Sequence, residues 1–170
     1  MSLRTIREQG DPVLSKKAKE IREMTPKIRQ LIEDMKETMY DANGVGLAAP
    51  QVGMLKRLVV IDVSEEQNQP IILINPRIIE KDGEQTGWEG CLSVPGMSGQ
   101  VTRPQHVVAQ ALNENMEEIT IEGEGLLARA ICHELDHLEG RMYVDLVEGK
   151  LYTNEEIDEM YAEQTEEDDA

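Results

Sequence analysis

Apolar residues recur at helical spacing in two separated stretches, and β-branched runs lie between them. In "TPKIRQLIEDMKETMYDANG", Ile28, Leu31, Ile32, Met35 and Met39 share one side of a 3.6-residue repeat. Thr25 suits the N-cap, Pro26 suits the first helical position, and Asn43-Gly44 is a stop signal. The expected role of this helix is packing. "RLVVIDV" (57–63) and "IILIN" (71–75) are joined by the polar "SEEQNQP" and predict two buried strands. "VTRPQHVVAQALN" followed by "NMEEITIEG" predicts a further hairpin. Helical spacing returns from 125 to 139, and Gly140 is placed to end it. The order of helix, strands, then helix predicts an α+β fold over an alternating βαβ one.

Two segments escape this periodicity. "GVGLAAPQVG" (44–53) and "GWEGCLSVPGMSGQ" (87–100) are rich in Gly and Pro and predict loops or irregular edges, where functional groups concentrate. The sharpest chemical signal sits on the second helix, in "HELDH". At 100° per residue, His137 lies about 40° and Glu134 about 100° from His133. The imidazoles therefore share a face one turn apart and can grip one ion, while Glu134 lies beside that face, able to reach a bound water without ligating the metal. Taken alone, the five residues are also compatible with an exposed polar stretch. Leu126, Ala130, His133 and His137 fall within about 60° of one another, so the histidines continue an apolar stripe. Imidazoles facing a core are costly unless something satisfies them, and a metal would.

A catalytic site of this kind needs a third protein ligand. Glu155, Glu156, Glu159 and Glu163 lie downstream, in a segment that looks solvated. Cys91, between glycine-rich turns, is the better thiolate candidate. Cys132 points about 100° from His133 on the wheel and reads as a small buried hydrophobe. His106 has no partner at ligand spacing and reads as structural.

Length and charge narrow the picture. The chain has 170 residues, enough for one domain with a sizeable core. It has no Phe, so the core must use Ile, Leu, Val, Met and Ala. Formal net charge is −17, and the last twenty residues hold nine acids and no Lys or Arg. That sign disfavours nucleic-acid or anionic-membrane binding. Residues 1–150 are expected to form a single metallohydrolase domain. Residues 151–170 are expected to be an acidic tail, with a short helix capped by Asn154 and then disorder over "TEEDDA". No signal peptide or membrane span is evident, and two cysteines do not indicate a disulfide framework, so the expected compartment is the cytoplasm.

"GVGLAAPQ", "EGCLS" and "HELDHLEG", in this order and spacing, resemble the peptide deformylase family from about Ile6 to about Val147. The resemblance implies antiparallel sheets surrounding the helix that carries both histidines. It implies Cys91, His133 and His137 as ligands of one divalent metal, Fe²⁺ in the usual case, with Zn²⁺, Ni²⁺ or Co²⁺ able to substitute. It implies Glu134 as general base and later acid, Gln51 and the Leu92 N–H as the oxyanion hole, and Gly46 as a contact to the substrate backbone. The implied reaction removes the N-formyl group from the initiator methionine of new polypeptides and releases formate. Val45, Leu126 and Ala130 are candidates for the methionine pocket. Glu89 is expected to pair with Arg103 beneath the cysteine loop. Implied partners are N-formylmethionyl peptides and nascent chains, with transient ribosome proximity but no direct nucleic-acid contact. Some relatives carry arginine where Ser98 stands, and some end in a basic helix where this chain is acidic. A metallopeptidase using a downstream glutamate and a non-catalytic peptide-binding paralogue are the competing expectations.

Overall fold

The computed structural model describes residues 2–169, with side chains from 2 to 164. Helix α1 (Pro26–Asp41) follows an extended N-terminal arm. Then come β1 (Gly46–Ala48), β2 (Leu58–Ile61), β3 (Ile71–Asp82), β4 (Gln85–Cys91), β5 (Val94–Arg103), β6 (His106–Leu112) and β7 (Glu118–Glu124). Helix α2 (Leu126–Leu138), β8 (Glu148–Thr153) and α3 (Asn154–Asp169) complete the chain. One sheet has the order β1-β2-β3-β6-β7 and the other β4-β5-β8, with every pairing antiparallel. The α+β expectation holds, with the histidine-bearing helix packed between sheets.

The larger sheet separates two apolar layers, and strand alternation explains how. Successive side chains of a strand point to opposite faces. Leu58 and Val60 of β2, with Ile72 and Ile74 of β3, pack with Leu31, Met35 and Met39 of α1. Val59, Ile61 and Leu73 face the other way, toward Ala128, Ile131 and Leu138 of α2. Both faces being covered, these strands read as unbroken apolar runs. A third cluster, with Leu14, Val94, Val101 and Tyr143, lies under the smaller sheet. The helix boundaries follow their caps: the Thr25 hydroxyl accepts from the Ile28 N–H at 3.2 Å, and Gly140 adopts φ +76° just beyond α2.

Four local expectations are corrected. The hairpin expected over 101–123 forms as β6–β7, but it begins at His106: residues 101–103 end β5, which belongs to the smaller sheet. Pro104 stands between β5 and β6, and with no N–H it cannot continue a ladder. Strand β3 runs past Pro76 to Asp82, and register shifts after Ile74 and Ile78 absorb the interruption. The segment 44–53 contains β1, paired with β2, and a 3-10 turn over Ala49–Val52. The segment 87–100 is not a loop but most of the β4–β5 hairpin. Its glycines allow close packing: a Cβ on Gly99 would lie 2.7 Å from Val147 side-chain atoms. The C-terminal residues pair as β8 and continue as α3, and the disorder expected for the last six reaches Ala170, outside the described residues. Among the described residues no helix is long and apolar enough to cross a membrane.

Candidate metal centre and cleft

The site forms where one face of a strand meets one face of a helix. Glu89 and Cys91 are two apart on β4 and so point the same way. Arg129, His133, Asp136 and His137 lie along adjoining rows of α2. The Nε2 atoms of His133 and His137 are 3.3 Å apart, and Cys91 Sγ is 3.3 Å from His137 Nε2. The three donor atoms lie within 4.8 Å of one another, and among the described residues no other such group exists. The downstream glutamates 155, 156, 159 and 163 are exposed on α3 and do not join it.

Glu89, a buried carboxylate, orders this arrangement. Its Oε1 accepts from His133 Nδ1 at 2.6 Å and from Arg103 Nη2 at 2.7 Å. Its Oε2 accepts from Arg103 Nε at 3.1 Å and from Arg129 Nη1 at 2.9 Å. Arg103 also donates to Asp136 Oδ2 at 2.7 Å. Burial alone would push the Glu89 carboxyl up, but His133 and Arg103 outweigh it and hold it at about 2. The bond from Nδ1 to Glu89 fixes the His133 ring and leaves Nε2 aimed at Cys91 and His137, as a carboxylate behind a ligating histidine usually does.

The two imidazoles titrate in opposite directions. Burial works against a proton on His133, but Glu134, Cys91 and Glu89 overcome it and hold its pKa well above the usual range. Burial pushes His137 down to about 3, and positive charge on His133 adds to the effect. Glu134 is buried at the cleft floor, and burial raises it to about 7 against the pull of His133. Glu134 Oε1 and His137 Nδ1 are buried without a hydrogen-bond partner among the described residues. A thiol, two converging imidazole nitrogens and a buried carboxyl with a free oxygen fit a single divalent cation with one protein group in reserve.

The donor set opens into a cleft of about 480 Å³. Loop 42–46 forms one wall, the β4–β5 hairpin the other, and the first turns of α2 the floor. Val45, Leu126 and Ala130 all line it, with Val45 and Leu126 exposed at its rim. Gln51 is buried at its inner end. Its Oε1 accepts from the Ala48 N–H at 2.9 Å, which leaves Nε2 directed at Ser93 Oγ (3.1 Å) and Cys91 Sγ (3.5 Å). The backbone of Leu92 lies in the turn after Cys91, and its side chain faces Gly44. Gly46 is placed so that a Cβ would collide with Glu134 Oε2.

Several participants escape sequence reasoning. Ser93 holds Gln51 and donates its N–H to Cys91 Sγ at 3.4 Å. Arg129 and Asp136 complete the Glu89 network, and only Arg129 gave a signal, as a charge inside the apolar "LLARAIC". Trp88 and Asn154 line the cleft and had no pattern to reveal them. Cys132 lies in the core, where burial raises its thiol pKa. His106 sits between Asp82 (3.3 Å) and Glu122 (2.6 Å), away from the cleft.

Comparison with known proteins agrees with this geometry. The family model "Polypeptide deformylase" matches residues 3–151. The chain is 68% identical over 152 residues to a peptide deformylase of Agathobacter rectalis, covering 89% of this chain and 94% of that one. It is 62% identical over 159 residues to one of Lachnoclostridium phytofermentans, covering 94% and 98%. The fold is similar to the crystal structure of a peptide deformylase from Legionella pneumophila, with a TM-score of 0.83 and 43% identity over 86% of each chain. It is also similar to that of Thermotoga maritima, with a TM-score of 0.82 and 40% identity over 86% of this chain and 99% of that one.

Proposed function

The chain belongs to the peptide deformylase family, hydrolases that act on formylated nascent peptides, and from that premise we propose how its own residues divide the work. Cys91, His133 and His137 would hold one divalent cation, Fe²⁺ in the cell, with Zn²⁺, Ni²⁺ or Co²⁺ as substitutes. Such an ion supplies a Lewis acid and brings the pKa of water toward neutrality. Glu134 takes a proton from the attacking water and returns it to the departing amine as the C–N bond breaks, leaving formate and a free methionine N-terminus. Its burial and its unpartnered Oε1 suit a group that must exchange a proton.

Gln51 Nε2 and the Leu92 N–H donate to the formyl oxygen as charge develops on it. The bond from the Ala48 N–H holds the Gln51 amide the right way round for this. Gly46 lets the substrate backbone approach while leaving room for Glu134. Val45, Leu126 and Ala130 receive the methionine side chain. Residues 1–150 act as the catalytic unit in the cytoplasm, close to ribosomes but without direct RNA contact.

One observation carries this reading: three soft and borderline donors within 4.8 Å beside a buried carboxylate with a free oxygen. The test is formate release from a formyl-Met peptide, using protein prepared anaerobically and loaded with Fe²⁺. Rapid release is expected, with loss of both metal and release in Cys91→Ser. No release from folded, metal-loaded protein would overturn the assignment of roles. Metal retention by Cys91→Ser would remove Cys91 from the donor set.

A further inference from the structure

The inner end of the cleft is braced by the extended arm that precedes α1. Gln51 follows β1 of the larger sheet, and Ser93 lies in the turn between β4 and β5 of the smaller one. They meet through Gln51 Nε2 and Ser93 Oγ at 3.1 Å. The arm bonds to both. The Arg7 N–H donates to the Gln51 carbonyl at 2.7 Å, and the Gln9 N–H donates to the Ser93 carbonyl at 2.8 Å. Extended backbone repeats every two residues, so N–H groups two apart face the same way. Residues 7 and 9 thus tie together the two elements that carry the proposed oxyanion donors, Gln51 Nε2 and the N–H of Leu92, the residue before Ser93.

Both ends of the arm are fixed. The Ser2 N–H donates to Asp34 Oδ1 at 2.9 Å, Arg4 Nε to Asp34 Oδ2 at 3.0 Å, and the Arg4 N–H to Thr38 Oγ1 at 2.9 Å. Asp34 and Thr38 are buried on α1. At the other end the Glu8 carbonyl accepts from the Asp11 N–H at 3.0 Å, and Gly10 sits at φ +104°. Gln9 keeps a negative φ, so residues 8–11 form a type II turn with Gln9 in the second position and Gly10 in the third. Leu14 then enters the core cluster of the smaller sheet beside Val94. The Gln9 side chain is exposed, so this residue acts through its backbone.

The structure assigns Gln9 as a positioning residue for the oxyanion hole: its N–H, with that of Arg7, holds the Ser93 turn against Gln51 and so sets the spacing of the two donors that receive the formyl oxygen. This assignment rests on the roles proposed above for Gln51 and Leu92. A misplacement of about 1 Å can cost on the order of 10²-fold in rate, and the ceiling is the roughly 10²–10³ of losing one donor outright. The Ser93 N–H also donates to Cys91 Sγ at 3.4 Å, so an effect through the thiolate is the competing route, and metal content separates the two.

The experiment removes the Gln9 N–H alone. Proline is favoured at the second position of a type II turn, so Gln9→Pro keeps the turn and deletes the donor. Gln9→Ala keeps the donor and deletes the side chain. With Fe²⁺-loaded protein and a formyl-Met peptide, Gln9→Pro should lower kcat by roughly ten- to hundredfold, with KM within about threefold and full metal content. Gln9→Ala should keep the parent kcat. In the Gln51→Ala background Gln9→Pro should cost well under its single effect, because one of the two donors it spaces is gone. Unchanged kcat in Gln9→Pro beside a full Gln51→Ala loss overturns the assignment. So do losses that multiply, or a loss that follows metal content and so lies at Cys91. A Gln51→Ala loss under tenfold overturns the oxyanion reading itself, and the assignment with it. Amide hydrogen exchange needs no variant: the Gln9 N–H should exchange at least about tenfold slower than an unstructured amide, and an unprotected Gln9 N–H overturns the brace.

Discussion

Glu134 and Glu89 are both buried carboxyls within the same site, yet their surroundings drive them apart. Glu134 lacks a partner on Oε1 and rises to about 7, whereas Glu89 is held by His133, Arg103 and Arg129 and falls to about 2. Glu134→Gln is expected to keep bound metal while losing about 10²–10⁴ in turnover, read as formate release beside metal content. Gln51→Ala should lose about 10²–10³, and a loss under tenfold would take Gln51 out of the oxyanion hole. Gly46→Ala should fold with an intact far-UV spectrum and lose on the order of 10² in rate, since its methyl group displaces the Glu134 carboxylate. Glu89 makes a stability prediction. Its folded pKa of about 2 lies below the roughly 4.3 of an unfolded glutamate, so its contribution is complete above that unfolded value and is lost as pH falls through the folded one. The effect is on the order of 3 kcal/mol. Thermal melts should show Tm dropping between about pH 4.5 and pH 2, and the drop should be smaller in Glu89→Gln.

Helix α1 and helix α2 illustrate what elements reveal before they fold. Thr25→Ala removes the bond to the Ile28 N–H and should cost about 1 kcal/mol in chemical denaturation without changing kcat/KM. Arg103→Ala acts differently, because it unbinds α2 at Asp136 and β4 at Glu89 together. It should lower metal affinity as well as stability, and unchanged metal content would limit Arg103 to packing. Both helices were legible because their apolar spacing and caps are local, and the two central strands because both of their faces are buried. The β4–β5 hairpin was hidden, since its residues are glycines, a proline and half-exposed polar groups that carry no strand alternation. His133, His137 and Cys91 could be singled out by residue type and spacing. Arg129 stood out only as a charge in an apolar run, and Ser93, Asp136 and Asn154 not at all, because their roles exist only after strand, helix and C-terminal segment meet. The apolar run 71–75 showed only the first part of β3, because the residues after Pro76 are largely exposed and bulges carry the strand onward.

At the scale of the molecule, charge and anchoring diverge. α3 carries nine acids, and removing residues 154–170 would take the net charge from −17 to −8. Yet Ile157 is its one buried side chain among those described. Truncation before Asn154 should therefore cost only about 1.5–3 kcal/mol, seen as a Tm fall of several degrees, while turnover of uncharged formyl-Met peptides persists. The donor set is also divided in an instructive way. Cys91 and Glu89 belong to the smaller sheet, and both histidines belong to the helix laid on the larger one. During synthesis the thiol leaves the ribosome more than forty residues before the first histidine. A newly made copy thus has no complete donor set until its two sheets have docked. If these donors hold the cation as proposed, a copy whose sheets fail to meet would hold none, and metal retention would report correct assembly.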